Sequence, residues 1–418
     1  MDCDVVVVGA GLAGLECARS LHSRGVHVRV VEAADSVGGR VRSAVVDGFT
    51  IDRGFQVLNP AYPAVRTRID VGALDLRPML PGLLVRREDR LVMLADPRRA
   101  PRHLAATLSS GYLRPAELVA LARWAAPALG PVRRLLTLPD ASRGRSLDRA
   151  GVTGALRRDV LEPFLAGVLG EDDGSTSTAF TRLVVRSFVL GTPGVPSRGM
   201  GAVPQELSAA LPHVLLGAPV ERLERASDGS HRVHTAGGPV TARAVVVATD
   251  PRTAARLGGV RPQSMKGLVT FWYATDEPPT TVPAIVVDGR RRGPVVNAAV
   301  MSAVAPEYAP AGSHLVQVTC LLPGEVPDEA VVRRQAGEMF GVDTGRWREV
   351  TRSVVRDALP AQPAPLHVRR ALTGGGGVFV CGDHRDTASQ QGALVSGRRT
   401  ASAVATWLER VDLSAEAR

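Results

Sequence analysis

Near the N-terminus the apolar positions change period twice within a few dozen residues. Asp4-Val5-Val6-Val7-Val8 is an unbroken β-branched run and reads as a fully buried strand. Gly9-Ala10-Gly11-Leu12-Ala13-Gly14 follows, and then Leu15, Ala18 and Leu21 recur at three-residue spacing, which predicts a helix over 12–23. Gly25 supplies the helix stop, and a second apolar strand over 26–31 ends on Glu32. Strand, G-x-G-x-x-G, helix, strand and acid, in this order, make a βαβ unit that binds the pyrophosphate of a dinucleotide. Gly9 allows the tight turn, Gly11 lets the backbone approach the phosphates, and Gly14 lets the helix lie close on the sheet. The helix N-terminus adds free N–H groups and a partial positive charge. Glu32 stands 23 residues after Gly9 and 18 after Gly14, near the spacing of a ribose-binding carboxylate. A carboxylate there accepts from ribose hydroxyls and repels a 2′-phosphate, so FAD or NAD fits and NADP does not. The plainer alternative, an ordinary βαβ unit with Glu32 in solvent, leaves the joint register of these parts unexplained.

The pattern continues past this unit. Gly38-Gly39-Arg40-Val41 makes a turn whose N–H groups suit an oxygen-rich ligand, with Arg40 placed for a charge-assisted contact to pyrophosphate. Alternating segments around 45–46 and 49–51 lead to a glycine-bearing turn, Asp52-Arg53-Gly54-Phe55-Gln56-Val57, and to Ala61-Tyr62-Pro63. Ala/Leu-rich stretches at 103–110, 115–129, 153–170 and 179–190, broken by Pro and Gly, predict an inserted helical lobe. Strand patterning returns after 195. Gly199-Met200-Gly201 precedes a helix at 203–211 and strands at 214–216, 218–223, 232–235, 240–241 and 244–248. Strands at 267–274, 284–287, 294–301 and 314–321, with a helix at 328–340, predict a second sheet. The glycines at 374–377 precede a strand instead of following one, which reads as a loop and not a second phosphate site. A last strand ends at Gly382-Asp383, and Gly392-Ala393-Leu394-Val395-Ser396-Gly397 opens a helix to about residue 408. The expected fold class is α/β: a Rossmann-like FAD-binding domain in discontinuous segments (1–70, 195–262 and 363–418) plus a mixed helical and β-sheet substrate domain (71–194 and 263–362). Closure of the dinucleotide fold by the C-terminus is usual for flavoproteins and uncommon for NAD dehydrogenases.

Composition narrows the class. In 418 residues, 45% hydrophobic and 22% charged content is that of a globular chain with a large core. No N-terminal signal is expected, because the first apolar stretch is the dinucleotide strand itself. The longest apolar candidate for a membrane span, 118–132, is interrupted by Arg123 and two prolines. Four cysteines without C-x-x-C spacing read as buried free thiols of a reducing cytoplasm. The net charge of +10 is carried by arginine, Lys266 being the only lysine. The arginines are dispersed and aromatics make up 4%, so nucleic acid is not an expected partner. Attraction to an anionic membrane surface or an acidic substrate stays open beside a plain solvated basic surface.

Three blocks together resemble the superfamily of flavin amine oxidases and carotenoid (phytoene) desaturases. They are G-A-G-L-A-G-L with Glu32 and Gly38-Gly39-Arg40; Gly199-Met200-Gly201 through Ala218-Pro219-Val220 to Val247-Ala248-Thr249; and Cys381-Gly382-Asp383 with Gly392-Ala393-x-x-Ser396-Gly397. The resemblance implies noncovalent FAD. It places Gly9, Gly11, Leu12, Ala13 and Gly14 around the pyrophosphate, Glu32 and Ala33 at the adenosine ribose, and Gly39 and Arg40 along the phosphates. Gly54, Phe55, Gln56 and Val57 would pass beside the isoalloxazine, and Val220 would touch the adenine through its backbone. Gly382 and Asp383 would reach the ribityl or phosphate region. Gln391, Gly392 and Ala393 would set helix N–H groups against flavin N1 and O2, where reduced flavin is negative.

Amine oxidases of this kind carry an aromatic residue three before the Gly392 equivalent, as half of an amine cage; here that position is Ser389. The run A-S-x-x-G-A-x-x-S-G and Ala61-Tyr62-Pro63 are similar to plant-type carotenoid desaturases. The expected reaction is therefore hydride abstraction from a hydrophobic, isoprenoid- or polyene-like substrate onto flavin N5, with oxygen or a quinone as acceptor. The alternatives are an amine oxidase producing an imine and hydrogen peroxide, and a flavin-binding protein without turnover. Lys266 is the candidate catalytic residue, because many relatives hold a lysine near N5, although its place before a strand reads as surface. His384 is expected in a solvated loop. Cys381 does not match the flavin-tethering cysteine of some relatives.

Overall fold

In the computed structural model, which describes residues 1–416, Val5, Val6 and Val7 are inaccessible to solvent. The reason is the position of their strand, Cys3–Val8, inside a sheet covered on both faces. Val28–Val31 and Gly238–Val247 flank it in parallel, Val214–Leu215 extends the first side, and Val378–Val380 extends the second. Strands from the start, middle and end of the chain thus share one sheet. Helix Leu12–His22 packs against the last helix, Gln390–Glu416, on one face of it.

The two strands expected at 240–241 and 244–248 are one. Gly238–Val247 pairs antiparallel through its first half with His231–Thr235, which in turn pairs with Val220–Arg225. Its second half joins the parallel sheet. One strand with two sets of neighbours has no break for the sequence to show.

The second large sheet runs in the order Arg348–Pro360, Met265–Thr275, His314–Leu321, Val295–Val300, Ile285–Asp288, Gly82–Arg86, Leu91–Ala95. Side chains alternate across it. Val269, Phe271, Tyr273, Val316 and Val318 form a separate core with Val332, Ala336, Met339 and Phe340 of helix Glu329–Phe340. Trp272, Ala274, Ala299 and Leu315, on the opposite face, belong to the core shared with the first sheet. The strands at 82–86, 91–95 and 348–360 were outside the expected set: the first two are short, and the third is a polar, half-exposed edge strand without an apolar stripe. The helical lobe holds helices at Leu104–Leu108, Pro115–Ala125, Val132–Leu135, Arg143–Arg149, Glu162–Leu169 and Thr178–Leu190. The four cysteines are free and buried. No helix among the described residues is long and apolar enough to cross a membrane.

One buried carboxylate ties several of these parts. Asp52 ends the hairpin Ser43–Val46/Phe49–Asp52 and is 1% exposed. Ser43 Oγ and the Met200 N–H donate to its Oδ1 at 2.5 and 2.9 Å, and the Tyr308 hydroxyl donates to Oδ2 at 2.8 Å. Burial lifts its pKa to about 6, against the pull of these donors; an unfolded aspartate sits near about 3.9. The folded state therefore binds the proton more tightly, and the stability that this confers is complete below the unfolded pKa and lost as pH rises through the folded one. The unfolding free energy of wild type relative to Asp52→Asn should accordingly fall by about 3 kcal/mol between about pH 3.5 and pH 7.5. Urea melts of both proteins across that range measure it, and a difference that does not change with pH contradicts the raised pKa.

Candidate functional site

The glycine loop is held by backbone contacts that leave no room for side chains, except at one point. Gly9 has φ +105°, and a Cβ there would come within 2.7 Å of the Ala248 carbonyl oxygen. A Cβ on Gly14 would lie 2.0 Å from the Gly9 oxygen, so the first turn of the helix rests directly on the strand end. A Cβ on Gly11 would meet nothing within 4 Å. Gly11 pairs with Gly38, and the Gly38 N–H donates to Ala10 O at 2.8 Å, bringing Gly39 and Arg40 against the loop. The N–H groups of Leu12, Ala13 and Gly14 open the helix without a capping side chain and find no acceptor among the described residues.

Glu32 stands where its spacing places it. Its Oε2 accepts the Ala10 N–H at 2.6 Å and its Oε1 the Ala34 N–H at 2.9 Å, leaving lone pairs for further donors. The Ala218 N–H donates to Glu32 O and the Gly217 N–H to Ala34 O, both at 2.8 Å, which brings Val220 to the same end of the cradle as Glu32 and the exposed Ala33.

The chain end closes the other side. Arg40 Nη2 meets Asp383 Oδ1 at 2.6 Å and its Nη1 donates to Ala358 O at 2.7 Å. Arg40 and Asp383, each assigned to the cofactor, thus also bind one another. Gly382, with φ +150°, has the ring of His384 folded over it. His384 is 2% exposed, not solvated, and burial lowers its pKa to about 4. Ser389 acts as a helix cap: its Oγ accepts the Gly392 N–H at 3.0 Å, and its carbonyl accepts the Ala393 N–H at 3.0 Å. The donors expected at Gly392 and Ala393 are therefore used internally. Gln390 and Gln391 open the helix instead, and their N–H groups find no acceptor among the described residues. The Gln391 side chain accepts the Ala64 N–H at 2.8 Å. Gln390 Nε2 donates to Val57 O at 3.3 Å, and its buried Oε1 has no donor among the described residues.

Segment 54–57 lies between the two sheets. Gln56 Nε2 donates to Arg40 O at 2.7 Å, and the Phe55 N–H donates to Thr270 Oγ1 at 3.2 Å. Thr270 begins a buried polar ladder across three strands. Its hydroxyl is 2.8 Å from Thr319 Oγ1, Thr319 donates to Gln317 Oε1 at 2.9 Å, and Gln317 Nε2 donates to Asn297 Oδ1 at 3.1 Å. Gln317 and Thr319 at alternate positions of an apolar strand were the available signal; the register that unites them with Thr270 and Asn297 is not local. Lys266 is half-buried near the start of strand Met265–Thr275, and its ammonium donates to Thr176 Oγ1 at 3.0 Å and Leu169 O at 3.4 Å in the helical lobe.

These residues fit FAD. The open space over Gly11, the unpaired N–H groups at both helix mouths, the spare capacity of Glu32 and the orphaned Gln390 Oε1 are the donors and acceptors that a dinucleotide needs. Gly11→Val should leave the apoprotein within about 1 kcal/mol of wild type, since nothing opposes the new side chain, but abolish FAD retention. Gly14→Ala should unfold the protein or cost at least about 3 kcal/mol. Urea melts of apoprotein and released-flavin fluorescence distinguish the two; retention of FAD by Gly11→Val contradicts the placement.

The Flavin containing amine oxidoreductase family profile matches residues 12–405. Putrescine oxidase of Kocuria rosea is 31% identical over 291 residues, covering 61% of this chain and 58% of that protein. Hydroxyneurosporene desaturase of Rubrivivax gelatinosus is 39% identical over 106 residues, covering 23% of this chain and 20% of that protein. The chain thus spans less than two thirds of either curated relative. An oxidoreductase from Methanosarcina mazei shares the fold with a TM-score of 0.73 at 15% identity, over 95% of this chain and 99% of that one. A profile match over most of the chain, on a cradle shaped for the adenine dinucleotide of FAD, makes this protein a member of the flavin containing amine oxidoreductase family, with FAD as its cofactor.

Proposed function

We propose that the protein is an oxidoreductase of desaturase or dehydrogenase type acting on a hydrophobic, isoprenoid- or polyene-like substrate. When bound, noncovalently, FAD supplies the two-electron acceptor at N5, and oxygen or a quinone reoxidises it. The chain's own groups orient and exclude water. Segments 1–70, 195–262 and 363–418 hold the cofactor in this reading, and 71–194 with 263–362 hold the substrate. Gln390 and Gln391 turn helix N–H groups toward the N1 and O2 region, where a positive helix end favours developing negative charge. Trp272, Ala274, Ala299 and Leu315 give the facing sheet an apolar surface on the side of segment 54–57.

The observation that carries this reading is Ser389. At the position of an amine-cage aromatic it is instead a cap, bonded to the Gly392 N–H. Amine oxidation to an imine and hydrogen peroxide is the second reading, favoured by the likeness to putrescine oxidase over 291 residues. Anaerobic mixing of the holoenzyme with polyenes, isoprenoid alcohols and diamines separates the two. Loss of visible flavin absorbance with polyenes and not with putrescine is expected. Bleaching by amines alone transfers the assignment to the second reading, and bleaching by neither overturns both.

A further inference from the structure

The apolar stretch at 118–132, too interrupted to span a membrane, lies on the surface. Eight of the seventeen large hydrophobic side chains exposed among the described residues fall between 104 and 138. Leu108 is 63% exposed, Leu129 59% and Val119 48%. Helix Pro115–Ala125 shows why. Leu121 and Trp124 face inward, onto Leu147, Val152 and Val185. Leu118, Val119 and Ala122 are exposed at the i, i+1, i+4 positions of the outer face, and Ala126 continues it. A helix apolar on both faces is ordinarily buried on both. This one is backed on its inner side only: Arg182 Nε donates to Trp124 O at 2.9 Å, and Arg186 Nη1 donates to Ala128 O and Gly130 O at 2.7 and 3.0 Å.

Charge selects the occupant of the outer face. Seven arginines stand between 98 and 134, and the one acid in that span, Glu117, is buried where it accepts the Leu156 and Arg157 N–H groups. Arg102, Arg114, Arg123, Arg133 and Arg134 are exposed and have no carboxylate partner among the described residues. A second copy of this face would set these cations against themselves. A nucleic acid would pair with the arginines but not with the leucines. The apolar side chains project from separate short helices at 104–108, 115–125, 126–129 and 132–135, not from the walls of one groove that a partner helix would fill. Exposed leucines interspersed along the chain with exposed arginines that lack carboxylate partners match the interfacial layer of a bilayer with anionic headgroups, which accepts apolar groups in any layout.

We propose that residues 104–138 are a docking surface for an anionic lipid bilayer, on which the enzyme sits peripherally. The surface does not depend on which substrate the enzyme oxidises. The test is cosedimentation of the holoenzyme with vesicles of phosphatidylcholine alone or mixed with phosphatidylglycerol. Partition should be at least about tenfold higher on the anionic vesicles and should fall at about 0.5 M salt. Leu118→Asp with Leu129→Asp should abolish it, and Arg133→Glu with Arg134→Glu should lower it by about 100-fold or more. Leu413→Asp, on the exposed side of the terminal helix, should change neither partition nor flavin spectrum. Hydrogen exchange of wild type should slow across 104–138 when vesicles are added, a readout that needs no variant. Absence of vesicle binding, equal loss in the Leu413→Asp control, or patch-dependent self-association or capture of an acidic protein in place of vesicle binding would each overturn the proposal.

Discussion

The cofactor end of the molecule is set by how closely three backbones approach. Gly14 lets helix Leu12–His22 rest on the carbonyl of Gly9, where a Cβ would stand 2.0 Å from oxygen. Gly397 does the same for the last helix against the first, where a Cβ would lie 2.3 Å from Ala13 O. Strand, first helix and last helix are thereby locked at contact distance. The N–H groups of Leu12, Ala13 and Gly14 cannot retreat from the ligand space without breaking that contact. Everything else at this end hangs on the same spacing: Glu32 reaches the Ala10 N–H only because the loop is tight, and Asp383 meets Arg40 across most of the chain length because the last helix is pulled in.

Such close approaches are local in sequence, which is why this half of the site was legible. Gly9, Gly11, Gly14 and Glu32 announce themselves through spacing, and Gly382-Asp383 through a strand end. The second sheet was read poorly for the opposite reason. Thr270, Asn297, Gln317 and Thr319 become one ladder only after sheet register brings three strands together. The edge strand Arg348–Pro360 carries charged and half-exposed side chains, so no apolar period marks it. Ser389 shows a subtler limit. Its identity reads as a missing aromatic, whereas its hydroxyl is a cap that moves the free helix N–H groups from Gly392 and Ala393 to Gln390 and Gln391. Lys266 was likewise visible as a residue and not as a contact, because the loop that receives its ammonium lies some ninety residues earlier.

The two large sheets divide the work by their coverings. The central strand of the first, Cys3–Val8, is almost wholly buried and valine-rich, so the polar groups of the cradle come from backbone and from strand ends. The second has one face sealed by helix Glu329–Phe340 and the other turned to segment 54–57. In the proposed reading, substrate specificity rests on side chains of that one face, apart from the glycine cradle.

The ladder on that face has a direction. Thr319 gives its only hydroxyl hydrogen to Gln317, so Thr270 must give its own to Thr319 while accepting from the Phe55 N–H. Every hydrogen along the row then points toward Asn297, whose Oδ1 is taken by Gln317. What Asn297 has left to offer is its NH2 group. That NH2 group stands only 2.2 Å from where a Cβ on Gly167 would be, so the row ends against the backbone of helix Glu162–Leu169, and any side chain at Gly167 would push out its last member and leave the Gln317 amide without its acceptor.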